Sequence, residues 1–135
     1  MKKGFTLIEL LIVIAILGVL AAVTMVGIDP IDKINAANDS KVQSDISSIA
    51  TAMESYAVSS SGNIYATDQL TLVNNGDLKM QLIPPTGYSY TVEGGGLTGK
   101  VYSPLKSKKY RNTPFWVWCS ASGKAGAILS SSNCP

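Results

Sequence analysis

The sequence contains no histidine, and acidic side chains are scarce in its second half. Without histidine, Ser-His-Asp and Cys-His nucleophilic chemistry and histidine metal sites are excluded. From Ser59 onward the acids are Asp68, Asp77 and Glu93, too widely spaced to predict a carboxylate pair for acid–base catalysis or an oxygen cluster for calcium. A phosphate-binding glycine loop is also missing. We therefore expect a protein that is not an enzyme and that needs no cofactor or metal.

Polar side chains are missing altogether from Leu10 to Val23. The surrounding segment, 5–28, would form a helix of about 36 Å, which exceeds the roughly 30 Å of a bilayer's hydrocarbon core. Lys2 and Lys3 precede it, and the positive-inside tendency keeps such an end in the cytoplasm. The pattern predicts a single transmembrane helix with the N-terminus in the cytoplasm and the remainder exported.

One carboxylate, Glu9, lies near the start of this apolar segment. A charged side chain within a bilayer costs roughly 2.5–3.5 kcal/mol or more, so it indicates a function and requires a partner. A general secretory signal peptide and a plain membrane anchor are two alternative interpretations. The first has a shorter apolar core than this one, and neither accounts for Glu9.

The run Lys2-Lys3-Gly4-Phe5-Thr6-Leu7-Ile8-Glu9 resembles the type III signal of type IV pilins and pseudopilins, and the likeness extends over about the first 25 residues. The resemblance implies that a prepilin peptidase cuts after Gly4 and methylates the new N-terminus at Phe5. It also implies that Glu9 offsets the positively charged amine of a neighbouring subunit during assembly. Pairing of two opposite charges in a low dielectric is physically reasonable, because an unpaired buried charge is costly.

The same resemblance implies a structural protein with two successive locations. It would be stored in the cytoplasmic membrane and then packed with its own copies into an extracellular helical filament. The implied partners are prepilin peptidase, a membrane platform protein and a cytoplasmic assembly ATPase. Two alternatives share this assembly chemistry: a pseudopilin of a type II secretion system and a competence pilin for DNA uptake. Major pseudopilins usually carry a calcium site and a tyrosine-proline motif, whereas Tyr65 is followed here by Ala66, which favours a pilin.

The segment after the membrane helix has the pattern of an amphipathic helix. Asp29 as N-cap and Pro30 as the first helical residue predict a helix start. Apolar residues then recur every three or four positions, which predicts one buried stripe: Val42, Ile46, Ile49, Met53 and Tyr56. The predicted organisation is a leader at 1–4, a transmembrane and assembly helix at 5–28, a stem helix at 29–60 and a globular head at 61–135.

The head contains short strand-like runs separated by glycine and proline. The candidate strands are Tyr88–Val92, Lys100–Ser103, Phe115–Cys119 and Ala127–Ser130, with a turn at Gly94–Gly96. Three or four antiparallel strands packed on the stem helix give an α+β fold, the layout of the pilins that the N-terminus resembles. Residues 65–80 fit either a loop or a short helix.

Two cysteines, Cys119 and Cys134, lie in the part predicted to be exported. A disulfide is the default in an oxidising compartment, and two free buried thiols are the alternative. Closing a loop of about 15 residues stabilises a fold by roughly 3 kcal/mol in the chain-entropy model. A C-terminal disulfide loop resembles the D-region of pilins, which carries the variable surface and some adhesion functions.

Charge is divided between the stem and the head. Five acids lie in Asp29–Ala57, and seven bases follow Ser59. The acidic stem and the basic head could attract each other between stacked subunits, or both could simply be solvated.

Four of the bases cluster around Tyr110: Lys106, Lys108, Lys109 and Arg111. Basic residues interleaved with aromatic ones can bind single-stranded nucleic acid through phosphate contacts and stacking. A solvated connection between strands is the other interpretation of this cluster.

Overall fold

The computed structural model describes residues 4–27, 29–84 and 87–135. It separates into two compact units, Met1–Ile31 and Asp32–Pro135, and each is described by itself. Residues 1–3 of the predicted leader and Ile28, the last residue of the predicted transmembrane helix, lie outside the described residues.

Helix α1, from Leu7 to Gly27, lies in the first unit. Its window Leu7–Thr24 has a mean hydropathy of 2.8, none of it is buried, and its length and composition suffice to cross a membrane. A helix that is apolar on every side is stable only in apolar surroundings, because water would otherwise contact its whole side-chain surface. This helix therefore requires lipid or other apolar helices around it.

The second helix, α2, runs from Pro30 to Ser59. Proline suits its first position because the missing N–H would have no partner inside the helix and φ is already helical. The predicted apolar stripe is confirmed, with Tyr56 half-buried at its edge. The buried apolar side chains of α2 are Val42, Ile46, Ile49, Ala50, Ala52, Met53 and Ala57.

A short third helix, α3, occupies Gln69–Asn75 and decides the ambiguous segment at 65–80. Asp68 is its N-cap, and the carboxylate accepts the backbone N–H of Thr71 at 2.8 Å. Leu72 is fully buried in the core. A single apolar side chain thus fastens α3 to the core, which explains why the sequence showed no helical periodicity there.

Four strands form one antiparallel sheet in sequence order: β1 Ser89–Glu93, β2 Thr98–Pro104, β3 Phe115–Cys119 and β4 Lys124–Ile128. Residues Gly94–Gly96 form the predicted turn. The prediction of the last strand at Ala127–Ser130 was wrong by three residues at its start. The strand begins at Lys124 because a tight turn ending at Gly123, with φ 64°, brings Lys124 opposite Cys119. Together the helices and sheet confirm the α+β fold.

The core lies between α2 and the inner face of the sheet. Val101 of β2 is opposite Trp118 of β3, and both side chains belong to the same buried cluster as Met53. At Gly99 of β2 an added Cβ would lie 2.8 Å from Met53 Cε and 2.8 Å from Tyr65 Cγ. A side chain at this position would require Met53 and Tyr65 to shift.

Buried Asp39 of α2 holds the segment after β2 against the helix. Its side chain is 3 % exposed. One carboxylate oxygen accepts the backbone N–H of Lys106 at 2.9 Å and the other accepts that of Ser107 at 2.9 Å. A carboxylate that receives two amide donors has its charge stabilised without a basic side chain.

Three other acids of α2 also bind the head of their own chain. Asp32 accepts the backbone N–H of Lys108 at 2.7 Å. The hydroxyl of Tyr88 donates to Asp45 at 2.5 Å, and that of Tyr65 donates to Glu54 at 3.0 Å. Burial, reinforced by the carboxylate of Asp45, raises the pKa of Tyr88 far above its usual value. This use of the stem acids within one chain was not predicted, and the attraction between stacked subunits stays a prediction.

Replacing Asp39 with alanine should destabilise the head by about 2–4 kcal/mol, because two backbone N–H groups lose their acceptors in a buried place. Asp39→Asn should recover part of the loss, since one oxygen acceptor remains. Urea unfolding of the full chain in detergent micelles, followed by the fluorescence of Trp116 and Trp118, measures both. Ser40→Ala, an exposed neighbour on the same helix, should change stability by no more than about 0.5 kcal/mol. Equal stability of Asp39→Ala and the parent chain would contradict this role.

The head should lose stability as the pH falls below about 4, the usual pKa of an aspartate. The Thr71 N–H lowers the pKa of Asp68, and the Asn75 amide lowers that of Asp77. A folded-state pKa below the unfolded one stabilises the fold above the unfolded pKa, and that contribution disappears on protonation. Urea midpoints between pH 6 and about pH 2 should therefore fall less steeply in the Asp68→Asn/Asp77→Asn variant. Parallel curves for the two chains would show that neither carboxylate contributes.

Candidate assembly site at the N-terminus

The first turn of α1 is closed by Thr6 and Glu9. The Glu9 carboxylate oxygen Oε2 accepts the backbone N–H of Thr6 at 2.9 Å and the Thr6 hydroxyl at 2.8 Å. The Glu9 N–H in turn lies 3.4 Å from Thr6 Oγ1. This reciprocal arrangement is a capping box, in which residues three apart satisfy donors that the helix start leaves without partners.

Capping holds the Glu9 side chain in place without neutralising it. Both donors to the carboxylate are uncharged groups of Thr6, so the net negative charge remains. A carboxylate has about four acceptor positions, and the described hydrogen bonds to the Glu9 carboxylate both go to Oε2. Glu9 is exposed. It can therefore receive a cationic donor in addition to its contacts with Thr6.

The capping role of Glu9 is the functional contact that sequence reasoning missed. A signal for it was present, since Thr6 and Glu9 follow the Thr-x-x-Glu pattern ahead of an apolar run. The carboxylate accordingly has a local structural role in addition to the role that the pilin resemblance implies.

The predicted cleavage bond between Gly4 and Phe5 lies just outside α1. Both residues are exposed and non-helical, and Phe5 is 86 % exposed. Proteolysis needs an accessible backbone that is free of regular hydrogen bonding. The geometry of this bond is compatible with cleavage, and the helix with its capping box begins immediately after it.

The disulfide joins Cys119 at the end of β3 to Cys134, with Cα atoms 5.7 Å apart. It holds the C-terminal tail on the outer face of the sheet. There the Lys100 ammonium donates to the Ser132 carbonyl at 3.3 Å, and a Cβ on Gly126 would lie 3.1 Å from the Pro135 side chain. The predicted pairing is confirmed.

The four predicted basic residues lie together on one loop, residues 106–111, which we call the basic loop. Lys106, Lys108, Lys109 and Arg111 are all exposed there. Tyr110, by contrast, is part of the packing. Its hydroxyl accepts the side-chain amide of Gln43 at 2.9 Å, its ring meets Trp116 edge-on at 6.4 Å, and the Lys109 ammonium lies 5.1 Å from the ring centroid.

The four cations proposed to bind nucleic acid lie together, but Tyr110, the aromatic residue between them, already packs against the head. Base stacking needs an open ring face, and Tyr110 is half-buried. Nucleic-acid binding by this loop stays a prediction. Within residues 4–27, 29–84 and 87–135, no group of three or more histidine, cysteine or acidic side chains could hold a metal ion.

Two comparisons with known proteins found a match, one to the N-terminal residues and one to most of the chain. Residues 1–25 match the family model described as the prokaryotic N-terminal methylation motif. Over 106 residues the chain is 33 % identical to the type IV wide pilus major component PilA4 of Thermus thermophilus, an alignment that covers 74 % of this chain and 78 % of that protein. No solved structure matches the chain.

The methylation motif, the apolar helix, the α+β head and this extensive identity show that the chain belongs to the type IV pilin family. That family consists of structural proteins that assemble with their own copies into filaments. Its N-terminal signal and apolar helix indicate anchoring in a membrane and assembly into a pilus. The resemblance seen in the first residues is therefore confirmed.

Thr6→Val should fray the first turn of α1, because the hydroxyl that bonds both the carboxylate and the N–H of Glu9 is lost. Loss of an N-cap costs about 0.5–2 kcal/mol. Faster amide hydrogen exchange at residues 7–10 of the full chain in micelles would report it. Thr6→Ser keeps the hydroxyl and should exchange like the parent chain. Identical exchange in the valine variant would mean that the capping box does not stabilise the helix start.

Proposed function

We propose that this chain is a prepilin that is cut between Gly4 and Phe5, N-methylated on Phe5 and packed through α1 into a type IV pilus filament. One observation carries the proposal. The charged side chain of Glu9 is held by Thr6 in the first turn of an apolar helix that the chain does not bury. The accessible Gly4–Phe5 bond lies just before this helix.

Cleavage after Gly4 would leave the capping box intact. Both donors to the Glu9 carboxylate belong to Thr6, and the amide bond between Phe5 and Thr6 survives the cut. The new amine on Phe5 keeps its positive charge after a single methylation. Each processed subunit would then present one fixed carboxylate and one nearby ammonium at the same end of its apolar helix.

Transfer of α1 from lipid into a filament would exchange one apolar environment for another. Apolar packing between such helices supplies no strong register of its own, because lipid tails cover the helix equally well. A charge pair does supply register, since an unpaired charge among packed apolar helices is strongly unfavourable. Glu9 would therefore dock an incoming subunit where its carboxylate meets a neighbour's amine.

The proposal places the N-terminus in the cytoplasm before assembly and the subunit in an extracellular filament afterwards. Prepilin peptidase, a membrane platform protein and an assembly ATPase would perform the processing and the mechanical work, and this chain would act only as a structural subunit. A pilin is favoured over a type II secretion pseudopilin by the disulfide-closed tail and by the likeness to a protein named as a pilus component.

Intact mass spectrometry of filaments sheared from cells, compared with protein extracted from membranes, tests processing and location together. The expected surface species lacks residues 1–4, carries one added methyl group and is two hydrogens lighter because of the disulfide. A processed species found only in membranes would support the pseudopilin instead. An uncleaved chain in both fractions would contradict the proposal.

Glu9→Gln should separate the charge of Glu9 from its capping role. Glutamine keeps an oxygen that accepts from Thr6, so membrane insertion and the helix start should be retained. Incorporation into filaments should fall by about tenfold or more, because a neighbour's amine loses its counter-charge. Quantitative immunoblots of sheared and membrane fractions measure this effect.

Two further variants complete the design. Glu9→Ala removes charge and cap together and should assemble no better than Glu9→Gln. Thr6→Val weakens the cap but keeps the charge, so it should assemble better than either. Normal filament yield from Glu9→Gln would overturn the charge-pairing mechanism while leaving the mass-spectrometric test of processing unaffected.

A further inference from the structure

The backbone of the basic loop is fastened to the first part of α2. The Lys108 N–H donates to Asp32 at 2.7 Å, and the Lys106 and Ser107 N–H groups donate to Asp39. Asp32 is in the first turn of a helix that begins at Pro30. The loop is therefore held against the N-terminal part of α2.

Chain length alone limits how far this loop can lie from the end of α1. The segment from Gly27 to Asp32 can span at most about 18 Å, at 3.6 Å per residue. Interfacial layers add roughly 5–7 Å of polar headgroups on each side of the hydrocarbon core, and lysine and arginine side chains are long and flexible. Asp32, which holds the loop, follows the last residue of α1 by only five positions, so the loop is attached to α2 close in the chain to the membrane segment.

The acid that binds the Lys106 and Ser107 amides is not a surface counter-ion for the exposed cations of the loop. Asp39 is buried and its two oxygens are occupied by backbone amides, so it faces away from solvent. Lys106, Lys109 and Arg111 are exposed on the loop, and Lys33 is exposed near the start of α2. Clustered cations at this position raise the local positive potential that an anionic surface would meet.

We propose that the basic loop binds anionic lipid headgroups while the subunit is stored in the membrane. This inference rests on the membrane-anchored stage of the proposed function. Ammonium and guanidinium groups donate charge-assisted hydrogen bonds to phosphate oxygens, and basic residues close to an anionic bilayer are attracted to it. The contact holds the head against the bilayer before assembly and is broken when the subunit leaves for the filament.

Lipid fits the loop better than nucleic acid does. Single-stranded nucleic acid binding combines phosphate contacts with stacking of bases on open aromatic faces. The aromatic residue inside the loop, Tyr110, is half-buried, packs edge-on against Trp116 and is hydrogen-bonded to Gln43. Headgroup binding requires only the exposed cations, and these are what the loop presents.

The test is NMR of the full chain in bicelles of phosphatidylcholine with or without phosphatidylglycerol, using a headgroup spin label. Amides of residues 106–112 should broaden and shift with phosphatidylglycerol, and the effect should vanish near 1 M salt, where the screening length is about 3 Å. Each cation removed should lower the lipid-bound population about fivefold. Lys109→Gln/Arg111→Gln should therefore lose the effect, and the remote pair Lys79→Gln/Lys124→Gln should keep it.

Three results would overturn the inference: the same broadening in pure phosphatidylcholine, no response of the loop to phosphatidylglycerol, or a response to an oligothymidylate at the same salt without one to lipid.

Two controls accompany the test. Unchanged unfolding of the Lys109→Gln/Arg111→Gln variant, followed by tryptophan fluorescence, shows that the head remains folded. An acyl-chain spin label that broadens the amides of α1 reports membrane insertion separately. Failure of the lipid contact is thereby distinguished from failure of the anchored state.

Discussion

The structure depends on a helix that is apolar on every side and that its own chain leaves uncovered. None of the window Leu7–Thr24 is buried, so the hydrophobic effect opposes leaving this surface in water. Two environments satisfy it, a bilayer and a bundle of identical helices. Under the proposed function the chain uses both in succession, and a single charged residue then has a large effect because so little else distinguishes one apolar surrounding from another. In that proposal Glu9 is the charged residue, and its contacts with Thr6 hold the carboxylate at the start of α1.

The head is organised around a second set of carboxylates, those of α2. Four acids along this helix receive backbone N–H groups or tyrosine hydroxyls from the head: Asp32, Asp39, Asp45 and Glu54. Apolar packing brings the sheet onto α2 but is non-directional. Hydrogen bonds to carboxylates are directional and charge-assisted, so they determine which loop lies at which level of the helix. The basic loop lies near the start of α2 for this reason, and its proposed contact with lipid follows from that position.

Much of the fold was predictable because its signals are periodic. The buried stripe of α2 and three of the four strands were found where alternation or three-four spacing predicted them. Errors occurred where periodicity gives no information. Helix α3 is attached to the core through Leu72, and the start of β4 depends on a turn ending at Gly123. At the candidate site, the pilin-like signal identified Glu9. Its capping contact with Thr6 was not predicted, although the Thr-x-x-Glu spacing is typical of a capping box.

By itself, the sequence determined the apolar helix, the motif around Gly4 and Glu9, the cysteine pair and the amphipathic stem. These features depend on local spacing or on composition, which the order of residues carries directly. Tertiary structure alone decided that the stem acids bind the head, that a side chain at Gly99 would meet Met53 and Tyr65, and that Tyr110 is packed while its neighbouring cations are exposed. Each of these depends on residues tens of positions apart, whose meeting is determined by the packing of α2 on the sheet and cannot be read from spacing along the chain.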